Sequence, residues 1–282
     1  VKALNRISPE LLNQEVEFAV GANRSALLWK PETLKVGTLL YRLMTFRSGP
    51  KDGVAITQGS LCTPQACARE SQYAVRNTLL MLDHDAGHGL DYLKEQYRKR
   101  GLFAFLWTTA SHHKTVTHIS ESALVKWLQK TDQTRGEDGS ITSAQAAAYL
   151  KEEKKIVPEI ADSVSAVVRD HDPVDGMVYK ITHAPMQRYR ALLILKKPFE
   201  FNAPQLGTHA ERRAEWSTKY VAFGQEIDAL VDSKCKDAVR LSYTPSRAAD
   251  HPNPEIFDWY VIPGNALDFD AIKISERRAN SG

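Results

Sequence analysis

The sequence predicts an α/β (α+β) fold, and three observations carry that expectation. Thr78-Leu79-Leu80-Met81-Leu82 is a continuous apolar run, closed by Asp83-His84-Asp85-Ala86-Gly87-His88-Gly89. A short apolar run ended by glycines reads as a buried central strand. Phe103-Ala104-Phe105-Leu106-Trp107-Thr108-Thr109 is aromatic and β-prone, and reads as a second strand. Segments with helix-cap chemistry stand between such runs. With 282 residues, 43% hydrophobic and 25% charged, the chain is long enough to bury a real core as one large domain or two modest ones.

Taken in order, Ser8-Pro9-Glu10 starts a helix, with Ser8 as cap and Pro9 in the first turn. Leu11, Leu12, Val16, Phe18 and Ala19 fit a short amphipathic helix after it. Residues 46–60 carry Ser48-Gly49-Pro50-Lys51-Asp52-Gly53 and Gln58-Gly59-Ser60, which is turn chemistry. The strand at 78–83 comes next, then a helix over 90–100, then the strand at 103–109, running into Ala110-Ser111-His112-His113-Lys114. Helices are expected at Ser122 to Gln129, from Thr142 or Ser143 through Lys155, and from Pro158 to Arg169, so this stretch reads as a helical insertion. Arg188 to Leu195 is a strand stopped by Lys196-Lys197-Pro198. A helix around 210–230 leads to Val231-Asp232, and Val239-Arg240-Leu241-Ser242-Tyr243 is a last short strand.

No apolar run approaches the roughly 18 residues of a membrane helix, and no secretory leader is legible at the first residues. Cys62, Cys67 and Cys235 form an odd, sparse set that suits a reducing cytoplasm better than a disulfide scaffold. Cys62 and Cys67 lack the further ligands, in ribbon-like spacing, that a zinc site needs. The net charge of +3 neither demands nor excludes nucleic acid, because a local basic face matters more than the total. Lys94, Arg98, Lys99 and Arg100 make one basic helix end, and Arg47 and Lys51 lie in the turn-rich loop. For Trp107, Trp216 and Trp259, core packing is the first reading. His84 and His88 read as exposed turn residues.

Chemistry concentrates on a few positions. Side chains alternate along a strand, so Asp83 and Asp85 are expected on one face. Two carboxylates that close repel unless a cation sits between them, and hard oxygen donors favour Mg²⁺ or Mn²⁺. Nucleotidyl transfer uses such a site, with two divalent ions holding the attacking and leaving oxygens. The same pair also suits a capped strand-end turn. Arg188 and Arg190 are again two apart, and paired guanidiniums suit phosphate oxygens; ion pairs with nearby acids are the competing reading. Asp232, ahead of Arg240, is either a third carboxylate or a surface acid.

Leu82-Asp83-His84-Asp85 resembles the hydrophobic-Asp-x-Asp first motif of the archaeo-eukaryotic primase superfamily. Thr108-Thr109-Ala110-Ser111-His112 resembles the Ser/His second motif of plasmid and phage primase-polymerases. Arg188-Tyr189-Arg190 resembles the segment after that motif, and Val231-Asp232 with Asp237-Ala238-Val239-Arg240-Leu241 resembles the third. These motifs span residues 82–241 in the family's order.

The resemblance implies an RRM-like antiparallel catalytic sheet beside a smaller α/β unit. Residues 1–75 would form an N-terminal α/β part, 76–113 and 181–250 the catalytic core, and 114–180 the helical insertion. Asp83, Asp85 and Asp232 would hold two Mg²⁺ or Mn²⁺ ions. His112, or His113 on a Ser-x-His reading, would contact the incoming nucleotide with Arg188, Arg190 and Arg240. The expected activity is DNA-directed primer synthesis and extension in plasmid, phage or mobile-element replication. Its partners would be a single-stranded DNA template and NTP or dNTP, in a prokaryotic cytoplasm, with no membrane. A helicase domain in a longer parent protein is expected, because relatives often continue into one. A metal-dependent nuclease and a non-catalytic replication-initiation DNA-binding module are the alternatives. The paired arginines favour a triphosphate over a water nucleophile.

Overall fold

The computed structural model describes residues 4–49, 52–61, 69–229, 235–247 and 253–274. Its strands are β1 (Glu15–Gly21), β2 (Lys30–Lys35), β3 (Arg47–Ser48), β4 (Ala55–Thr57), β5 (Gly59–Leu61), β6 (Ala74–His84), β7 (Ala104–Thr108), β8 (Lys114–Ser120), β9 (Ala166–Asp172), β10 (Gly176–Met186), β11 (Tyr189–Glu200), β12 (Leu241–Tyr243), β13 (Ser246–Arg247) and β14 (Trp259–Ile262). Its helices are α1 (Pro9–Asn13), α2 (Val36–Leu43), α3 (Leu90–Lys99), α4 (Glu121–Lys130), α5 (Ser143–Glu152), α6 (Pro158–Ala161) and α7 (His209–Glu226). The result is a mixed α+β fold with antiparallel sheets, divided into two compact units. No helix among the described residues is long and apolar enough to cross a membrane.

The first unit takes Val1–His84, Leu90–Ala110 and Tyr189–Gly282. Its centre is a five-stranded sheet in the order β14-β7-β11-β6-β5, antiparallel throughout. The expected apolar strand is β6, and the structure explains why its run is continuous rather than alternating. Leu80 and Leu82 pack with Leu93, Tyr97, Trp216, Tyr220 and Phe223 of α3 and α7. Leu79 and Met81 point the other way, into a cluster with Leu11, Val16, Phe18, Leu39, Leu40 and Leu43. A sheet covered on both faces needs apolar residues at both parities. Each fully buried Leu here contributes about 1.5–3 kcal/mol of transfer free energy. A four-stranded sheet, β12-β4-β1-β2, and a short parallel β3–β13 pair complete the unit.

Ser8 caps α1 as expected, its hydroxyl accepting from the Leu11 N–H at 3.2 Å. The helix nonetheless ends at Asn13. Val16 and Phe18 are buried while Glu15 is exposed and Glu17 half-buried, a two-residue period that belongs to β1 and not to a longer helix. The turn-rich 46–60 stretch also holds strands β3, β4 and the start of β5.

The second unit takes Asp85–Gly89 and Ser111–Arg188. Its three-stranded antiparallel sheet, β8-β10-β9, packs against α4–α6 through Ile119, Tyr179 and Ile181 against Trp127, Tyr149 and Leu150. The insertion therefore holds the expected helices and an unexpected sheet. The helix begun at Pro158 stops at Ala161, and the stretch up to Arg169 enters β9. An Asx turn closes the β9–β10 hairpin: Asp172 Oδ1 accepts from the N–H groups of Val174 and Asp175, at 2.9 and 3.0 Å. Gly176, with φ +72°, completes the turn. In α5, Thr142 and Gln145 form a capping box.

Candidate functional site

The antiparallel register sets one side-chain row across four strands of the central sheet. Asp83 on β6 faces Arg190 on β11, Arg190 faces Trp107 on β7, and Trp107 faces Trp259 on β14. Asp83 and Arg190 form a bidentate ion pair: Arg190 Nε donates to Oδ1 at 2.5 Å and Nη2 to Oδ2 at 3.1 Å. Both side chains are largely buried, with 14% and 12% of their surfaces exposed. The Cys235 thiol donates to Asp83 Oδ2 at 3.3 Å, Arg190 Nη1 donates to the Tyr243 carbonyl at 3.2 Å, and the guanidinium lies 6.0 Å from the Trp107 ring centre. Burial pushes the Asp83 carboxyl up. The opposing charge and hydrogen bonds of Arg190, with the Cys235 thiol and the charge of Arg240, outweigh it and hold the group below the usual carboxylate value.

Arg190 also lines a small cleft of about 20 Å³ with Trp107, Thr108, Thr109, Ala110, Tyr243, Thr244 and Ser246. None of these lining residues is acidic, and five carry hydroxyls. Three of those hydroxyls are committed within the unit. Thr108 Oγ1 accepts from the Asp258 N–H at 3.0 Å, Thr244 Oγ1 donates to the Val54 carbonyl at 3.1 Å, and the Tyr243 hydroxyl reaches Asp52 Oδ1 at 3.4 Å. Thr109 Oγ1 is shielded from solvent and has no hydrogen-bond partner among the described residues. A buried hydroxyl left unsatisfied costs free energy.

The second unit carries the histidines. Ser111, His112 and His113 lie in a turn before β8, not at the end of a strand as expected, and His113 has φ +60°. The two imidazoles stack at 4.3 Å and 17°. His112 is buried and its Nδ1 lies 3.0 Å from both the backbone nitrogen and oxygen of Arg188. An N–H can only donate, so Nδ1 presents its lone pair to it and Nε2 carries the proton of the neutral ring. Burial lowers the His112 pKa to about 4; a bond from the charged ring to the Arg188 carbonyl opposes the drop, and the charge of His113 adds to it.

The structure thus distributes the expected site residues. Asp83, Arg190 and Arg240 belong to the first unit; Asp85, His112, His113 and Arg188 belong to the second. β6 ends at His84, so strand alternation does not extend to Asp85, which is exposed. β11 begins at Tyr189, so the shared strand face expected for Arg188 and Arg190 does not apply to Arg188. The Arg188 guanidinium meets Met186 Sδ at 3.3 Å. Arg240 precedes β12, and its Nε is buried with no hydrogen-bond partner among the described residues. His84 is not an exposed turn residue: it is buried, with Nε2 2.8 Å from the Tyr97 hydroxyl. Trp107 and Trp216 are core residues, as expected. Asp232, Cys62, Cys67, Lys51 and the tail from residue 275 lie outside the described residues.

These placements bear on a metal. Among the described residues, no three His, Cys, Asp or Glu side chains come together in a way that could hold one. The carboxylate chemistry of Asp83 suits Mg²⁺ or Mn²⁺, but both its oxygens are taken by Arg190. The described residues as they stand do not fit a two-ion site. Sequence reasoning did not single out Thr109, Tyr243, Ser246 or the thiol of Cys235 as neighbours of Asp83 and Arg190.

No family model and no curated protein matches the sequence. Among solved structures, the chain is similar to the AEP domain of the primase-polymerase (PrimPol) of cyanophage S-2L. The identity is 7%, the match covers 95% of this chain and 91% of that chain, and the TM-score is 0.33. A likeness of that size carries no argument about the chemistry of this chain.

Proposed function

We propose that the chain is the catalytic domain of a primase-polymerase. It would join nucleotides on a single-stranded DNA template, from NTP or dNTP, in the replication of plasmid, phage or mobile-element DNA. In the reaction a hydroxyl oxygen bonds to the α-phosphorus of a nucleotide, and the bond to the bridging oxygen breaks as pyrophosphate leaves. Mg²⁺ or Mn²⁺ is the cofactor this reading requires, with Asp83, Asp85 and Asp232 as the proposed ligands.

The observation that carries the reading is the Asp83–Arg190 pair beside a hydroxyl-lined cleft with no acid among the described residues of its wall. A carboxylate and a guanidinium held by facing β-strands are the two charges that phosphoryl chemistry needs, one for a cation and one for phosphate oxygens. Arg240, close enough to act on Asp83, adds a second positive charge in the same unit. Neighbouring strands hold Asp83 and Arg190 by their register, so their positions do not depend on a loop. The order of the sequence motifs supports the same reading. His112 has its role from that order alone, as a neutral donor through Nε2–H. Primer synthesis on circular single-stranded DNA, with Mn²⁺ or Mg²⁺ and labelled nucleotides, tests the proposal. Asp83→Ala that keeps full nucleotide incorporation would sink it.

A further inference from the structure

Leu27 and Leu28 stand side by side in the loop between β1 and β2, 87% and 76% exposed. Single exposed leucines are ordinary, but these two are held out by a built loop. Trp29 is buried in the core, and its Nε1 donates to the Ala26 carbonyl at 3.0 Å, so the residues flanking the pair are tied together. Gly21 leaves room for that indole, since a Cβ there would lie 2.7 Å from the ring. Before the pair, Asn23 Oδ1 accepts from the Ser25 N–H at 2.9 Å, and Asp52 Oδ1 accepts from the Arg24 N–H at 3.1 Å. Ala26 packs against the core. The loop is thus anchored on both sides of the leucines and leaves them in water.

The charges around them have one sign. Residues 22–30 hold no acid, and Arg24 and Lys30 flank the pair in sequence. The Arg69 guanidinium lies 5.6 Å from the Trp29 ring centre, and its Nε is shielded from solvent with no hydrogen-bond partner among the described residues. Arg24 Nε meets Asp52 Oδ2 at 3.4 Å, with 68% and 46% of the side chains exposed. An ion pair so exposed is weak and yields readily to a phosphate. Asp52 also receives the Tyr243 hydroxyl at 3.4 Å, and the Tyr243 carbonyl accepts from Arg190. Two side chains therefore link the loop to the Asp83–Arg190 pair of the same unit.

We infer that the loop of residues 22–29 is a contact for single-stranded DNA, with Leu27 and Leu28 against unpaired bases and Arg24, Lys30 and Arg69 toward the phosphates. Apolar side chains ringed by cations, with no acid among them, match apolar base faces strung on a polyanion. A duplex hides its base faces in the stack, so the leucines favour the single strand while the cations serve both. The inference rests on the reading under Proposed function. It gives the template strand of that reading a surface outside residues 82–241, where the sequence motifs lie.

Fluorescence anisotropy of a short labelled mixed-sequence oligonucleotide, single-stranded and as a duplex, is the test on the intact chain. The double variant Leu27→Ser/Leu28→Ser should bind the single strand about tenfold more weakly, the scale of uncovering one well-buried leucine, with its duplex affinity and thermal melt unchanged. Lys30→Ala should weaken both and lower the slope of log affinity against log salt for the single strand by about 0.7, the share of one phosphate contact. No binding of the single strand by the wild type, or equal affinity in the double variant, would overturn the inference. So would a wild type that self-associates in sedimentation and a double variant that is monomeric with unchanged DNA affinity, because the leucines would then meet a second copy. Single-strand binding with the expected variant effects but no primer synthesis would sink the proposed function and leave the loop contact standing. Primer synthesis by the wild type, with unchanged single-strand affinity in the double variant, would do the reverse.

Discussion

Replacing Arg190 by Met tests the electrostatics of the pair and gives an effect whose size depends on pH. Asp83 and Arg190 are 14% and 12% exposed, so the pair is largely screened from water. Breaking a buried pair by removing one partner costs about 3–5 kcal/mol, because a desolvated charge is left uncompensated. The charge of Arg240 and the thiol of Cys235 stay in place, which puts the expected loss at neutral pH near the lower end of that range. The pH dependence follows from the direction of the Asp83 shift. In the wild type the folded-state value is depressed, so its stabilisation is present above the unfolded value and is lost only as pH falls through the folded one. Without Arg190, burial acts with less opposition and raises the carboxyl value. Protonation of Asp83 then relieves the variant as pH falls from 7 towards 4, while the Asp83 contribution in the wild type is unchanged over that window. The difference between the two proteins should shrink by up to about 1.4 kcal/mol for each pH unit below the raised value. Urea unfolding followed by tryptophan fluorescence at pH 7 and pH 5 measures it. A cost under about 1 kcal/mol at pH 7, or one that does not change with pH, would refute the account of the pair.

His112 provides a second pH signature. Its folded value of about 4 lies below the ordinary histidine value, so the unfolded chain takes up a proton between pH 6.5 and 4 while the folded one does not. Stability should fall across that window, and His112→Gln should flatten the slope; NMR titration of the imidazole should show the Nε2–H form at pH 6. Leu80→Ala, at a site with no exposed surface, should cost about 2–5 kcal/mol in denaturant unfolding, whereas Val168→Ser on the exposed side of β9 should change it by under about 0.5 kcal/mol. Thr142→Ala removes the capping box of α5 and should cost about 1 kcal/mol by the same measurement.

The core strands were legible because they are buried on both faces, which leaves continuous apolar runs rich in Leu and aromatic residues at Leu79–Leu82 and Phe103–Trp107. The pairing at the site was legible in part. Leu79–Leu82 and Ala191–Ile194 are apolar runs of equal length, and antiparallel pairing of two such runs sets the residue after one opposite the residue before the other. That rule brings Asp83 to Arg190. It shows no cation between Asp83 and Asp85, because the strand ends one residue too early. β9 was not legible, because Pro158 is a strong helix start and Val167-Val168 follows within a span one longer helix would cover. The strand itself is set by pairing with β10, which lies beyond local sequence. β1 was missed for a related reason. Leu11, Leu12, Val16, Phe18 and Ala19 satisfy a helical period loosely, and the strand period shows only over Glu15 to Phe18 before the adjacent buried pair Phe18 and Ala19 breaks it. The cleft was not legible at all, since its wall comes from residues 107–110, 190, 243, 244 and 246.

The central claim is nucleotidyl transfer at the end of β6. Primer synthesis on circular single-stranded DNA, with both NTP and dNTP pools, tests it most directly when wild type, Asp83→Asn and Arg190→Lys are run together with thermal melts as folding controls. The account predicts labelled products from the wild type that require Mn²⁺ or Mg²⁺. It predicts a loss of about 100-fold or more in Asp83→Asn, the scale of removing one group that stabilises developing charge, and a partial loss in Arg190→Lys, which keeps the charge but not the fork. Full incorporation by a folded Asp83→Asn protein, or degradation of the template without incorporation by the wild type, would contradict it.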